Sequence, residues 1–425
     1  MGRGKPVRAA TPDTSDEKTR RIEILQTAAE LIASSGLRTS LQDIADAVGI
    51  LPGSLYHHFE SKEAILVELV RRYHADLERI GDLAQSRIDA PGDRPIAATV
   101  CDVAGEIARC AVAHRAALQM SFYESPSGNP ELVGLLREPP TAVQQGMLQV
   151  LRAGRWSGYI RPEIDLATLA DRMCQSMMHI GLDVIRRKAS ADQAASLMCR
   201  IMLCGLAHRA PSDDELDGSA AFAAARKAIE SWSEDNEAGD DKTAHLRAVA
   251  RAEFGRRGYE VTTIRDIAAA AEMGIGTVYR LIGSKDELLA SIMTSFGTKT
   301  GDGFTAVLRA DATPVEKLDA LCWVHINALD RFADEWKIQL AWMRHSPPDT
   351  PNPGLAFTTR LRQLKAVLAE GARSGDIRIE APSAETLGRC VMDLLWMPEN
   401  IVHANGTRDA LILARDTVVR GAATR

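Results

Sequence analysis

Aromatic residues are scarce in this chain of 425 residues, and long apolar runs are missing. Phe, Trp and Tyr make up 5% of the sequence and alternating Val, Ile and Thr runs are few, which argues against an extensive β-sheet. No apolar stretch approaches the roughly 18–20 residues of a membrane span. The N-terminal stretch lacks the apolar core of a signal peptide. We therefore expect an all-α, cytoplasmic protein that does not enter a membrane.

Cysteine and catalytic motifs are also sparse. The seven Cys are an odd number without a CxxC pair, so we predict reduced thiols rather than a disulfide or zinc framework. We find no Ser/His/Asp set, no paired carboxylates in a common motif and no phosphate loop. The sequence therefore predicts no enzyme, no cofactor and no metal site.

The net charge of −6 is unevenly spread along the chain. Between Pro211 and Asp241, ten acidic residues face two basic ones, so this segment carries −8 and the remainder +2. Such a composition is typical of a solvated linker, and its Ala-rich centre at 220–232 predicts a connecting helix. The overall charge therefore does not exclude nucleic acid as a partner of the flanking parts.

The chain contains one motif twice. Residues 41–66 read LQDIADAVGILPGSLYHHFESKEAIL, and residues 264–289 read IRDIAAAAEMGIGTVYRLIGSKDELL, without a gap at an offset of 223. A period of this length indicates a duplicated domain rather than a solenoid repeat.

Each copy has the pattern of a helix-turn-helix. An amphipathic helix precedes a short helix whose start carries a capping pair, Ser40 with Asp43 and Thr263 with Asp266. A three-residue turn and a second short helix follow. The turns are predicted at 49–51 and 272–274, and the second helices at about 52–59 and 275–282.

These motifs resemble the DNA-binding domain of the TetR family of bacterial transcriptional regulators. The resemblance rests on Gly36, Ile44-Ala45, Gly53-Ser54-Leu55-Tyr56-His57-His58-Phe59, Ser61-Lys62-Glu63 and Leu66, and on Gly258, Thr262, Ile267-Ala268, Gly276-Thr277-Val278-Tyr279, Ser284-Lys285-Asp286 and Leu289. Further on, residues 154–161 match residues 371–378, a segment that in this family precedes two helices that pair between subunits. The resemblance implies such helices at about 165–186 and 190–209, and at 383–397 and 407–420.

The resemblance implies two tandem units. Each would hold a three-helix DNA-binding domain and a larger helical domain for ligand binding and dimerisation. The expected segments are a disordered N-terminal arm (1–17), the first DNA-binding domain (18–66), the first helical regulatory domain (67–210), an acidic linker with a connecting helix (211–241), the second and more divergent DNA-binding domain (242–290) and the second helical regulatory domain (291–425).

The second helix of each motif is expected in the major groove of double-stranded DNA, with its N-terminal residues at base edges. The glycines would allow close approach, the tyrosines resemble a phosphate-contacting tyrosine of the family, and the lysines would hold phosphate at a helix start. The predicted DNA-binding residues are Ser40, Pro52, Gly53, Ser54, Tyr56, His57 and Lys62 in the first copy, and Thr262, Thr263, Ile275, Gly276, Thr277, Tyr279, Arg280 and Lys285 in the second.

The two copies differ, and the second departs further from the family pattern. His57 is replaced by Arg280, so the copies are expected to prefer unlike half-sites, and Glu272 places an acid near the expected DNA face. The expectation is a ligand-responsive repressor that folds as an intrachain pseudo-dimer on an asymmetric operator. The alternatives are a homodimer with four heads, and a sensor or scaffold in which one or both heads no longer bind DNA.

The larger helical parts contain Met, Trp and Tyr at helical spacing. These are first of all core residues, and a sharper hypothesis places an effector pocket among them. The resemblance suggests a lipophilic or acyl-CoA-like effector. The candidate pocket residues are Met120, Tyr123, Trp156, Met177, Trp323, Trp342, Met343 and Trp396.

Overall fold

The described part of the protein is predominantly helical. The computed structural model describes residues 14–35, 37, 39–89, 94–120, 129–184, 190–234, 241–259, 261–345, 354 and 356–424. Over these residues the chain forms helices joined by short connections, and its β-type pairing is limited to two isolated bridges. The predicted all-α class is confirmed. Within the same ranges, no helix is long and apolar enough to cross a membrane.

The first unit contains ten helices within the described ranges. They are α1 (Thr14–Ser35), α2 (Leu41–Val48), α3 (Pro52–His58), α4 (Lys62–Asp89), α5 (Ile96–Ala113), α6 (Arg115–Met120), α7 (Pro130–Arg137), α8 (Thr141–Trp156), α9 (Leu166–Val184) and α10 (Ala191–Cys204). Helix α1 begins inside the segment expected to be a disordered arm.

The remaining helices follow the same order after two connecting helices. They are α11 (Asp213–Asp217), α12 (Ala220–Glu234), α13 (Asp241–Arg257), α14 (Ile264–Ala270), α15 (Ile275–Ile282), α16 (Lys285–Arg309), α17 (Pro314–Arg331), α18 (Ala333–His345), α19 (Phe357–Ser374), α20 (Ala384–Leu395) and α21 (Glu399–Ala414), with a π-helical turn at Arg415–Val419. Helices α4 and α16 run on without a break across the expected domain boundaries at 66 and 290. One rigid element therefore joins each DNA-binding domain to its helical domain.

Over its described residues 211–234, the acidic segment packs onto the second unit rather than lying free in solvent. Helix α12 packs on α16 and α17, and it buries Phe222 and Trp232. The fully buried Arg415 donates to both carboxylate oxygens of Asp319 (2.8 and 3.0 Å) and to Asp213 (2.9 Å).

Further arginines neutralise the same acids. Asp217 accepts from Arg408 and from Arg415, and Asp213 accepts from Arg420. The hydrogen bond from Arg408, followed by that from Arg415, lowers the pKa of Asp217 to about 2. Two acids of this segment, Asp213 and Asp217, therefore belong to a structural ion-pair network.

The repeated segment after α8 and α19 folds alike in both units. Gly158 (φ 75°) and Gly375 (φ 82°) occupy the left-handed region, which glycine adopts without steric cost. A Cβ atom on Gly154 would lie 2.9 Å from Ile160, and one on Gly371 would lie 2.5 Å from Ile377. The glycines conserved between the two copies therefore let the chain fold back onto its own helix.

Each unit ends by pairing its backbone with the other unit. Ala207, after α10, bridges to Ile377 of the second unit, and Ala423, after the π-turn, bridges to Ile160 of the first. The hydrogen bonds occur in matched pairs: Leu206 N to Val418 O with Ala422 N to Met202 O, Ala207 N to Val419 O with Ala423 N to Leu203 O, His208 N to Asp376 O with Thr424 N to Tyr159 O, and Arg378 N to Leu206 O with Arg161 N to Ala422 O. Their lengths are 2.7–3.0 Å. We call this set of bonds the junction.

Two glycines sit at the centre of the junction. Gly205 (φ 72°) would place a Cβ atom 2.4 Å from the carbonyl carbon of Arg420, and Gly421 (φ 85°) would place one 2.3 Å from that of Cys204. Helices α9 and α10 also pack against α20, and Arg172 of α9 donates to the carbonyl of Leu394 (2.8 Å). The contact between the units is therefore built from equivalent elements of both.

Candidate nucleic-acid interface

A capping box begins the first helix of each motif. Ser40 Oγ accepts from Asp43 N, and Asp43 accepts in return from the backbone of Ser40 (2.7 Å). Thr263 and Asp266 repeat the arrangement. The backbone hydrogen bond from Ser40 and then its side-chain bond lower the pKa of Asp43. The predicted caps are confirmed, and the two exposed hydroxyls already serve the helix start.

The turn between the helices is left-handed in both copies but holds different residues. Gly49 has φ 74°, and Glu272 at the equivalent position has φ 54°. A non-glycine residue pays about 1 kcal/mol or more in this region. The second copy therefore keeps the shape of the turn but carries backbone strain at Glu272. The Glu272 side chain is exposed.

The second helix of each motif turns one side inward and leaves the other open. Leu55 and Val278 are fully buried, whereas Tyr56 and Tyr279 are 56% and 51% exposed. A Cβ atom on either Gly53 or Gly276 would meet nothing within 4 Å, so the fold itself does not require glycine there. These glycines instead keep the outer surface slim.

The other predicted residues of α3 and α15 lie at or near this open surface. Ser54, His57, Ile275 and Arg280 are exposed, and Pro52 and Thr277 are half-buried. The two helices thus present matching surfaces that differ in chemistry at the position of His57 and Arg280.

Both predicted phosphate-binding lysines donate to backbone carbonyls of their own unit. Lys285 Nζ donates to the carbonyls of Tyr259 (2.7 Å) and Thr262 (2.8 Å) and lies 4.1 Å from the Tyr259 ring centroid. Lys62 likewise donates to the carbonyl of Leu37. Burial lowers the pKa of Lys62. These ammonium groups tie the start of α4 and α16 to the loop after the first helix, because that loop leaves carbonyls without helical partners.

Thr262 is also an internal residue. It is fully buried, and its hydroxyl donates to the carbonyl of Gly258 (2.8 Å). Thr39 takes the same position in the first copy and is buried too. The side chain of Thr262 is therefore not at the surface that α15 presents.

The structure adds residues that the motif did not single out. Leu51, the residue before α3, is 78% exposed, and Arg265 is exposed in the first turn of α14. Leu51 follows Gly49 and Ile50 in a turn without polar side chains, so local composition does not distinguish its exposed side chain from a buried one.

The candidate pocket residues do not form one group. Met120 and Met177 are buried core residues, Trp323 and Trp396 are half-buried, and Trp156 is 95% exposed at the end of α8. Trp156 is therefore no pocket residue: it occupies the outer side of the turn made by residues 154–161. Tyr123 and the side chains of Trp342 and Met343 lie outside the described residues.

One group of side chains has the composition of metal ligands. Asp76, Cys110 and His114 bring their ligand atoms within 4.8 Å of one another. His114 Nε2 lies 2.6 Å from Asp76, whose other carboxylate oxygen accepts from Arg79 (3.2 Å). The hydrogen bond with His114 comes first among the causes that lower the pKa of Asp76. A hydrogen bond between Asp76 of α4 and His114, the residue after α5, accounts for this arrangement.

Known proteins resemble this chain in the same regions. A family profile described as bacterial regulatory proteins of the tetR family matches residues 24–69 and 246–292. The repressor KstR2 of Rhodococcus jostii (strain RHA1) is 35% identical over 199 residues, which are 46% of this chain and 95% of that protein. The regulator UidR of Escherichia coli (strain K12) is 27% identical over 183 residues, or 42% of this chain and 90% of that protein.

A solved structure is also similar to part of this chain. The structure of the ketosteroid transcriptional regulator KstR2 of Mycobacterium tuberculosis matches with 25% sequence identity and a TM-score of 0.34, covering 41% of this chain and 89% of that one. The KstR2 of Rhodococcus jostii and UidR each correspond to less than half of this chain, and the family profile matches it twice. The chain therefore holds two units of the kind that each relative holds once.

Proposed function

The chain belongs to the TetR family of bacterial regulatory proteins, and from this premise we propose that it is a ligand-responsive repressor whose two unlike heads read one asymmetric operator. The coarser statement, that it is a DNA-binding transcriptional regulator with two helix-turn-helix motifs, follows from the family. The finer part of the proposal is that one chain occupies each operator and that both of its heads bind DNA.

The junction is the observation that carries the proposal. Dimeric regulators read palindromes because a two-fold axis relates their reading heads. Here the matched hydrogen bonds relate the two halves of one chain in the same way, since every backbone bond of the junction from the first unit to the second has an equivalent in the reverse direction. An intrachain pseudo-dimer holds its heads at a fixed separation without a second chain.

The surfaces of α3 and α15 support the use of both heads. Each exposes a tyrosine and a glycine at equivalent positions, as a helix that enters a major groove requires. His57 and Arg280 offer different donors to base edges, so the two half-sites are expected to differ. Covalent linkage raises the effective concentration of the second head, so two weak half-sites suffice.

The helical domains support a small apolar effector. Buried methionines line the interior of the first one, among them Met147, Met173, Met177 and Met198. Thioether side chains adapt to irregular ligands. The two heads must lie at the separation that the operator requires. A ligand that binds more tightly to a conformation with another separation would shift the chain away from its DNA-binding state.

One observation favours the alternative in which the second head does not bind DNA. Glu272 is exposed next to the start of α15 and carries a charge that DNA phosphates repel. A scaffold or sensor with a single active head would keep the junction and lose the second half-site.

Two matched variants separate these functions. Binding to DNA from the chain's own promoter region is measured by fluorescence anisotropy for Tyr56→Ala and Tyr279→Ala. Each should weaken binding about tenfold, the value of one charge-assisted hydrogen bond to phosphate. Trp156→Ala is the control, because it removes an exposed aromatic residue far along the chain from either head.

The outcomes are distinct. If only Tyr56→Ala weakens binding, the second head is silent and the asymmetric two-head operator is refuted. If the wild-type chain binds no promoter DNA at low salt, the scaffold reading replaces the repressor. Two chains per duplex, measured by sedimentation, would favour the four-headed homodimer.

A further inference from the structure

The interiors of the two helical domains differ although their folds correspond. Helices α5 and α17 have the same length, and α4 with α16 and α8 with α19 align through the repeated motifs. At four buried positions of the first domain the residues are apolar, and at the equivalent positions of the second they carry donors. The pairs are Leu77 and Thr300, Ile107 and His325, Leu118 and Trp336, and Val143 and Arg360.

The helices around these positions are also spaced differently. In the first domain α4 and α8 approach closely, since a Cβ atom on Gly81 would lie 2.6 Å from the carbonyl oxygen of Ala142. In the second domain the position of Gly81 holds Phe304, and the most extensive contacts of α16 are with α12 and α17. The Arg360 guanidinium lies 5.5 Å from the centroid of the Phe304 ring. A cation thus lies where the first domain has direct helix contact.

Among the described residues, Arg360 is a buried cation without a carboxylate partner. Its side chain is 6% exposed, and Nη2 donates to Thr300 Oγ1 (2.8 Å). None of the ion pairs among the described residues involves it. Burial lowers its pKa to about 10. A buried charge of this kind is costly to fold unless an anion compensates it.

The groups near Arg360 favour an anion rather than a cation. His325 donates from Nδ1 to the carbonyl of Leu321 (2.8 Å), and burial lowers its pKa to about 4, so it is neutral at pH 7. Trp336, whose ring centroid is 6.2 Å from that of His325, has a buried Nε1–H with no acceptor among the described residues. Phe304 and Phe296 supply aromatic walls beside these two rings.

We propose that the second helical domain binds an apolar molecule through one carboxylate group, which the Arg360 guanidinium holds. A carboxylate matches the planar donor pair of arginine, and aromatic walls with few convergent polar groups are typical of small-molecule sites. This inference rests on the proposed function for its regulatory meaning and names the effector class of the second domain alone. The first domain, with Val143 at this position, does not bind a carboxylate in this way.

The test uses the full-length chain and defined probes. Melting temperature and calorimetric titration are recorded with octanoate, decanoate, benzoate and cholate, each paired with its primary alcohol or amide. The wild-type chain should bind at least one of the carboxylates. It should bind the corresponding alcohol or amide at least roughly 30-fold more weakly, because the buried guanidinium then has no opposite charge. Arg360→Met should abolish the ligand-dependent shift and raise the melting temperature of the ligand-free chain.

Two further variants keep the result interpretable. Arg360→Lys retains the charge without the planar pair and should bind with intermediate affinity. Arg389→Met removes an arginine of α20 that already pairs with Glu385 (2.8 Å), so it should leave carboxylate binding unchanged. Equal carboxylate binding by wild type and Arg360→Met, or no binding by wild type to any of the four acids, overturns the inference. DNA binding measured without ligand is a separate readout, so the repressor proposal stands or fails independently.

Discussion

Replacing Gly205 by alanine tests whether the junction holds the two units together. Gly205 has φ 72° and ψ 167°, a region that is almost restricted to glycine. The new Cβ atom would also lie 2.4 Å from the carbonyl carbon of Arg420 and 2.5 Å from the carbonyl oxygen of Val419. Both neighbours are backbone atoms, so relief requires the two units to separate locally.

The expected loss of stability follows from two contributions. Backbone strain costs about 1–3 kcal/mol, and forcing atoms into a closely packed region costs about 1–3 kcal/mol more. The matched control is Gly375→Ala. Gly375 also has positive φ (82°), but a Cβ atom there would meet nothing within 4 Å, so only strain of about 1–2 kcal/mol is expected.

Urea unfolding followed by tryptophan fluorescence gives both values. Gly205→Ala should lower the free energy of unfolding by at least about 1 kcal/mol more than Gly375→Ala, in line with the packing contribution. The same variant should weaken DNA binding, because the separation of the heads is no longer fixed. If Gly205→Ala is no less stable than Gly375→Ala, the close backbone contact does not exist and the junction is refuted.

Three further changes have defined outcomes. Glu272→Gly should change the free energy of unfolding by less than about 0.5 kcal/mol, because relief of strain and the greater unfolded-state entropy of glycine offset each other. The same variant should raise DNA affinity up to about fivefold in anisotropy assays, because an acid near the phosphates is removed. Unchanged affinity would place the acid away from DNA. His325→Ile should remove a loss of stability between pH 6.5 and about 4. Burial lowers the folded-state pKa of His325, so the unfolded chain alone takes up a proton in that window, at a cost of up to about 3 kcal/mol; identical pH profiles in thermal melts would contradict this. Arg415→Met should lower the free energy of unfolding in urea by about 3–5 kcal/mol, because it leaves Asp319 buried and unpaired. Arg408→Met changes a more exposed member of the same network and should lower it by less than about 1 kcal/mol. Equal losses would contradict the burial argument.

The helical class and the two motifs were predictable because local signals agree there. Capping boxes at Ser40 and Thr263, buried apolar residues at helical spacing and a left-handed turn at Gly49 all depend on neighbouring residues. The double occurrence of the motif made the inference stronger than one copy would. The chain's composition then limited the alternatives for the rest of the fold.

The lysines show where the motif was not enough. Lys62 and Lys285 lie at helix starts near the expected DNA, which suggested phosphate contacts. The structure instead directs both ammonium groups to loop carbonyls, most clearly from Lys285 to Tyr259 and Thr262. Whether a lysine binds a phosphate or a nearby backbone carbonyl depends on loop geometry that sequence spacing does not specify.

Long-range pairing escaped the sequence altogether. Nothing local to the acids of 211–217 indicates that Arg408, Arg415 and Arg420 lie beside them, about two hundred residues away along the chain. The donors that replace apolar residues in the second domain, such as Arg360, emerge only when equivalent positions are superposed. Trp156 failed as a pocket residue for the same reason, since helical spacing does not say which side of a turn faces solvent.

Hydroxyl-radical footprinting of the wild-type chain and the two tyrosine variants, at a measured stoichiometry, tests the central claim most directly. We expect one chain per duplex, two unlike protected half-sites, loss of one half-site in Tyr56→Ala and loss of the other in Tyr279→Ala. A palindromic footprint covered by two chains, or a pattern that Tyr279→Ala leaves unchanged, would contradict it.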